Sequence, residues 1–383
     1  MTQALTILNG SIPNPASTKF KELPPLSGAR DAHTYIQDRL AKGILLNDTP
    51  ALRGEVSDYA WMIGDDYSMR EIAKANSKLA IPTGIPIIDQ VMGGLRRKQV
   101  TGILGYVGQC KTTILRTMAY NAAAAGFRVL HIPVEAEFCE ELNLFGIMHA
   151  HAKGTFNLPN ITRQRFDDAE LTQAELDVLL GEVIPVLAAT VGKNLILSEL
   201  RDDEYTWEFV RSLIERENAK EPLDLVVIDY LTLLGDESDR DDVQRKSAMI
   251  KDVKRLTLNT PDYGFAFVTP VQGNRKRYEE AQARDGAWET TGIHLYSSLD
   301  KSMDNCLYVY TDDAISATNK IKIGSCKHRR GRNIPATFVD IDGNSGLVGR
   351  AKSGSFMVAP VAAMAVEEPV FDLEEFYAWR RPK

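Results

Sequence analysis

The sequence predicts an α/β protein: a mostly parallel central sheet, helices in the crossovers, and a small helical appendage at the N-terminal end. Three observations predict it. From about residue 81 onward, short β-branched runs alternate with amphipathic stretches, which is how strand–crossover–strand units read in a sequence. One of these runs leads into a glycine-containing turn that opens a helix, "GYVGQCKTT" at 105–113. Three further apolar runs each lead into a polar or acidic residue, which lines functional groups along the carboxyl edge of a parallel sheet.

The bulk numbers fit. A chain of 383 residues can hold one large domain with appendages. With 44% hydrophobic and 25% charged residues it should pack a core rather than stay disordered. The net charge of −7 excludes a broadly basic surface, so nucleic acid would have to be met by a locally basic channel. The four cysteines (Cys110, Cys139, Cys306, Cys326) form no C-x-x-C pair, and no Cys/His set has zinc spacing. That pattern suits a reduced, cytoplasmic setting. No run approaches the ~18 apolar residues of a membrane helix. The start, "MTQALTILNGSIPNP", lacks the basic and apolar regions of a secretion signal.

In chain order, residues 10–28 are rich in Pro and Ser and read as an arm. Apolar spacing predicts helices over 31–46 and 66–79, so 1–80 reads as an arm with linker helices. The core spans 81–348. Strands are expected at 99–105, 128–134, 194–200, 224–230, 265–271, 306–312, 320–326 and 336–342. Helices are expected at 111–125, 137–152, 171–190, 205–218 and 241–259. Residues 273–292 and 235–246 read as long loops, and 349–383 as a flexible tail with a short amphipathic end.

The turn at 105–113 nearly satisfies the phosphate-loop pattern G-x-x-x-x-G-K-[ST]. Gly105, Lys111 and Thr112 fit; Cys110 stands where the second glycine belongs. In such a loop the amides of Gly108, Gln109, Cys110, Lys111, Thr112 and Thr113 face phosphates, Lys111 bridges them, and Thr112 offers a hydroxyl to Mg²⁺. Cysteine adds bulk at a crowded point. Its place at a helix N-terminus beside Lys111 should favour the thiolate. Asp229 ends "DLVVIDY", the position of a carboxylate that serves Mg²⁺. Glu135 follows "RVLHIPV" and could polarise water, although helix N-caps also carry acids there. Gln272 ends "FAFVTPVQ" and could touch a γ-phosphate. Each signal is weak alone; their order along the chain is not.

Over about 81–347 these segments resemble the motor domain of the DnaB-like replicative helicases, a RecA-like fold. "IPTGIPIIDQVMGGL", "VLHIPVEAE", "LVVIDYLTLL", "QRKSAMIKDVKRL", "PVQGNRKR", "SSLDKSMDNCLYVY" and "CKHRRGR" match its successive motifs. The resemblance implies ATP and Mg²⁺ as cofactors, with Glu135 the catalytic glutamate and Gln272 the γ-phosphate sensor. It makes Lys327 and Arg329 finger residues that reach a neighbour's site, so hydrolysis would need a ring or filament, with a homo-hexamer expected. The loops after Asp229 and Gln272 would face single-stranded DNA, through Arg245 and Lys246 in one and Arg275, Lys276 and Arg277 in the other. Primase, polymerase or loader proteins would be partners; a membrane would not. The sequence departs from the family at Cys110, at Pro133 where a serine is usual, and in a short N-terminal region. Two rivals fit the same residues: a recombinase or mediator that forms filaments on DNA, and a non-hydrolysing adaptor with a decayed loop.

Overall fold

The computed structural model describes residues 80–152, 156, 158–235, 242–260, 264–289 and 302–349. The chain divides into two units, Met1–Leu79 and Ala80–Lys383, and all described residues belong to the second. The helices expected over 31–46 and 66–79 lie outside the described residues, as does the tail after Gly349.

The second unit begins with β1 (Ala80–Ile81) and β2 (Leu95–Arg96), an antiparallel pair around helix α1 (Pro86–Met92). The remaining strands are β3 (Val100–Gly105), β4 (Val129–Pro133), β5 (Leu195–Leu197), β6 (Leu225–Asp229), β7 (Ala266–Gln272), β8 (Asn305–Tyr310), β9 (Lys320–His328), β10 (Thr337–Asp342) and β11 (Leu347–Val348). They form one sheet in the order β11-β10-β9-β8-β3-β7-β6-β4-β5. Strands β3 to β8 run parallel, and β9, β10 and β11 add antiparallel at one side. All eight strands expected in the core are present.

The parallel strands are continuous apolar runs because both sheet faces are covered. Alternation then splits each strand between two cores. Leu225 and Val227 of β6 pack with Ile114, Leu115 and Met118 of α2 (Lys111–Ala124). Val226 and Ile228 pack with Val210 and Ile214 of one helix and with Met249 and Val253 of another on the opposite face. In chain order the remaining helices are α3 (Phe138–His151), α4 (Arg163–Asp167), α5 (Gln173–Val178), α6 (Ile184–Ala189), α7 (Trp207–Lys220), α8 (Asp242–Asn259), α9 (Arg275–Ala283) and α10 (Asp313–Ser316). Helices α7 and α8 supply the cover on that second face, and Phe166 of α4 and Val178 of α5 join α3 in a smaller separate cluster. Burying each large aliphatic side chain contributes about 1.5–3 kcal/mol, so the two-sided core dominates the stability of this unit.

Three expectations are corrected. The single helix over 171–190 is α5 and α6 joined by a π turn at Leu179–Val183. Pro185, which lacks an N–H and crowds the preceding turn, accounts for the widened ladder. The loop expected over 273–292 contains α9, capped by Asn274, whose Oδ1 accepts from the amide of Arg277 at 3.0 Å. The expected loop at 235–246 and the expected helix at 241–259 overlap, and the helix holds: Arg245 and Lys246 lie on α8, while residues 236–241 are outside the described residues.

Candidate functional site

Strand β3 delivers the turn at 105–113 to the carboxyl edge of the sheet, and α2 leaves from it. Gly105 is needed because a Cβ there would sit 2.8 Å from Val309. Cys110 is left-handed, φ 56° and ψ 23°, where a glycine would be at ease. The Gln109 side chain is spent on anchoring the turn. Its Nε2 donates to the carbonyl of Thr311 at 2.7 Å, and its Oε1 accepts from the amide of Thr311 at 2.9 Å. Any part Gln109 plays toward phosphate therefore falls to its main chain.

Lys111 is only 3% exposed. Its Nζ donates to the carbonyl of Tyr106 at 2.6 Å and lies 5.8 Å from the centre of the Tyr230 ring. Burial pulls its ammonium down to about 8, against the opposing fields of Asp229 and Glu135. Burial likewise raises the Cys110 thiol, and the charges of Arg163 and Lys111 only partly offset it. The thiolate expected from helix dipole and neighbouring cation is thus not favoured; desolvation wins.

Asp229 ends β6 and is 3% exposed. Burial raises its carboxyl to about 6, although a hydrogen bond with Thr112 opposes the shift. Its Oδ1 is buried with no hydrogen-bond partner. A buried carboxylate oxygen without a donor, beside a threonine hydroxyl, fits a divalent cation with its water shell. Pro133 is in register with Asp229 on the neighbouring strand. The amides of Val134 and Glu135 both donate to the Asp229 carbonyl, at 2.7 and 3.1 Å. Glu135 is exposed at the same edge, and its charge is felt by Lys111. Gln272 ends β7 in register with Gly105 and is also exposed. The edge thus brings together Lys111, Thr112, Asp229 and Glu135, with Gln272 one strand from the loop.

Sequence reasoning missed the groups that brace this edge. Arg116 of α2 makes a doubly bonded pair with Glu141 of α3, at 2.5–2.8 Å, and His131 of β4 lies 3.4 Å from the same carboxylate. All three are buried. Burial works to raise the Glu141 carboxyl, but the nearby His131 and the hydrogen-bonded Arg116 together hold it down at about 2. Tyr278 of α9 stacks between Tyr106 and Tyr310, with ring centres 5.0 and 5.7 Å away. Neither group forms a motif in the sequence. The signals for the charged cluster were weak: Arg116 and His131 are polar residues in otherwise apolar stretches, and Glu141 is one of several acids around the start of α3.

The basic residues lie elsewhere. Arg275 and Lys276 are exposed on the first turn of α9; Arg275 pairs with Glu279 at 3.3 Å, and the half-buried Arg277 pairs with Glu280 at 2.5 Å. Lys327 is near the end of β9 and half-buried. Arg329, just past β9, is 64% exposed and donates from Nη1 to Asp304 Oδ1 at 2.6 Å. Strand β9 is antiparallel to β8, so this end of it lies at the sheet edge opposite the phosphate loop. Among the described residues no helix is long and apolar enough to cross a membrane.

Comparison with known proteins agrees with this fold. The family model "DnaB-like helicase C terminal domain" matches residues 80–339. A solved structure described as an ATPase domain has a TM-score of 0.62 at 18% identity, covering 77% of this chain and 98% of that one. A structure described as a DnaB-like replicative helicase and its interactions with primase has a TM-score of 0.61 at 18% identity, covering 90% of this chain and 82% of that one. No curated protein gives a significant match. The family match spans the phosphate loop, Asp229, Glu135, Gln272 and the basic turn at 327–332, and the chain belongs to the DnaB-like helicases, ATP-hydrolysing DNA helicases of the replicative type.

Proposed function

We propose that this chain hydrolyses ATP with Mg²⁺ at the carboxyl edge of its sheet and uses the turnover to move along single-stranded DNA as a homo-hexameric ring in the cytoplasm. The observation that carries the reading is the convergence of Lys111, Thr112, Asp229 and Glu135, drawn from three strand ends. Among the described residues no cluster of three or more His, Cys, Asp or Glu could hold a metal alone. Thr112 and Asp229 would hold Mg²⁺ together with substrate phosphates and water, which is how that ion is usually bound. The ion supplies charge neutralisation to the phosphates.

The chain's own residues do the rest. Lys111 and the amides of 108–113 hold the phosphates. Glu135, exposed where water can reach it, orients that water for attack on the γ-phosphorus as the bond to ADP breaks. Gln272 senses the γ-phosphate. Lys327 and Arg329 act on a neighbouring copy. Arg329 lies beside Asp304 at the Val100 end of β3, about 16 Å from its own loop at the rise of a parallel strand; Lys327 is level with Gly102, about 10 Å short of the loop along the strands and two strands to the side, so neither side chain reaches it. Arg275, Lys276 and Arg277, with Arg245 and Lys246, contact DNA phosphates. Residues 1–80 serve as arm and linker helices, and primase, polymerase or loader proteins as partners. The test is Lys111→Ala: nucleotide turnover and unwinding should vanish while the melting temperature holds. Unchanged turnover would remove the assignment.

A further inference from the structure

Asp304 lies immediately before β8 and is 1% exposed. Three donors converge on its carboxylate. Oδ2 accepts from the amide of Val100 at 2.9 Å and from Lys254 Nζ at 2.5 Å, and Oδ1 accepts from Arg329 Nη1 at 2.6 Å. The main chain repeats the pattern. The amide of Asp304 donates to the Val100 carbonyl at 2.9 Å, and the amide of Arg329 donates to the Asp304 carbonyl at 3.1 Å.

Each donor belongs to a different part of the machinery. Val100 opens β3, the strand that ends at the phosphate loop. Lys254 is on α8, the helix that follows the Asp229 strand. Arg329 is at the far edge, with most of its side chain in solvent. Only one nitrogen of the guanidinium is drawn to Asp304, and the fork has five N–H donors, so it can take a second acceptor without leaving the first. A buried carboxylate paired with a single cation would be left uncompensated if that cation moved. Lys254 removes this obstacle, because a second positive charge stays on Asp304 whatever Arg329 does.

We propose that Asp304 is the positioning residue of Arg329: it aims the guanidinium outward at a phosphate held by the neighbouring copy, and ties it to the strand carrying the subunit's own phosphate loop. The proposal rests on Arg329 acting across a subunit boundary. Nucleotide-dependent shifts of β3 are then passed to the finger through one carboxylate.

The test uses the full chain and Asp304→Asn, which keeps the side chain's shape and an acceptor for Val100 but removes the charge. Turnover should fall about 10- to 100-fold, as for a misplaced catalytic group, with the KM for ATP little changed. Mixing Asp304→Asn with Glu135→Ala should restore part of the activity, since mixed interfaces join an intact Glu135 to an intact finger. Mixing it with Arg329→Ala should restore none, because both lack a working finger. A merely structural defect would follow the damaged subunit's own site and would not sort in this way. If Asp304→Asn does not assemble, Asp304→Glu, which keeps the charge but displaces the carboxylate that aims Arg329, carries the same test and must fall in the same group. Full activity in Asp304→Asn, or no recovery with Glu135→Ala, overturns the proposal. A control mixture of Arg329→Ala with Glu135→Ala separates the two claims. If the control recovers and the Asp304→Asn mixture does not, only the role of Asp304 falls; if the control fails, the trans role of Arg329 falls and the proposal with it.

Discussion

The amide of Glu135 donates to the main-chain carbonyl of Asp229 at 3.1 Å, beside the 2.7 Å bond from the amide of Val134. The residue assigned to water and the residue assigned to Mg²⁺ are therefore locked together by main chain, independent of the Glu135 side chain. Glu135→Gln should leave the fold and nucleotide binding intact and lower turnover about 10²- to 10⁴-fold, the usual worth of a proton-handling group. A binding titration beside an ATPase assay checks this; equal losses in both would mean that Glu135 holds the site together instead.

The buried pair at the edge sets a pH window. Lys111 is charged below about 8 and Asp229 is ionised above about 6 in the free protein. Phosphate needs the first charged and Mg²⁺ needs the second ionised. The profile of kcat/KM, which reports the free enzyme, should therefore be bell-shaped with limbs near those values. A flat profile from pH 5.5 to about 9 would contradict the assignment of both groups.

Cys110 holds a left-handed conformation that costs a non-glycine residue about 1 kcal/mol. Cys110→Gly should keep or raise turnover and change stability by no more than about 1 kcal/mol, the strain relieved offsetting the added freedom of the unfolded chain. Cys110→Val should lose activity, because a β-branched residue fits this conformation poorly. Since burial raises the thiol, alkylation near neutral pH should be slow. Rapid labelling of Cys110, or loss of turnover in Cys110→Gly, would contradict this placement.

Arg275 and Lys276 stand exposed at the start of α9, whereas Arg277 is half-buried against Glu280. Charge reversal of Arg275 and Lys276 should weaken single-stranded DNA binding and flatten its log–log salt dependence by about 0.7 per lost phosphate contact. Arg277→Glu should change the slope less. A slope unaffected by the first pair would take α9 away from DNA.

The parallel sheet and the acidic edge were legible because strand ends announce themselves: "DLVVIDY" and "RVLHIPVEAE" are apolar runs that stop at a carboxylate. Helix α9 was not legible as long as "GNRKRYEEAQAR" was read by its charge. Its Asn274 cap and Arg275–Glu279 spacing were present, but no apolar stripe marked a helix that buries little beyond Ala281. The Arg116–Glu141–His131 cluster and the Asp304 junction join residues far apart in sequence, so nothing local signals them. The thiol of Cys110 was misjudged for a related reason: dipole and neighbouring charge are visible in sequence, and burial is not.

The decisive measurement is ATP turnover of the full chain with and without single-stranded DNA, read beside the particle mass in the same buffer. A hexameric motor of this kind gives particles of six subunits whose turnover rises on DNA and is lost in Lys111→Ala. Turnover by single subunits, indifferent to DNA and to Lys111, would contradict it.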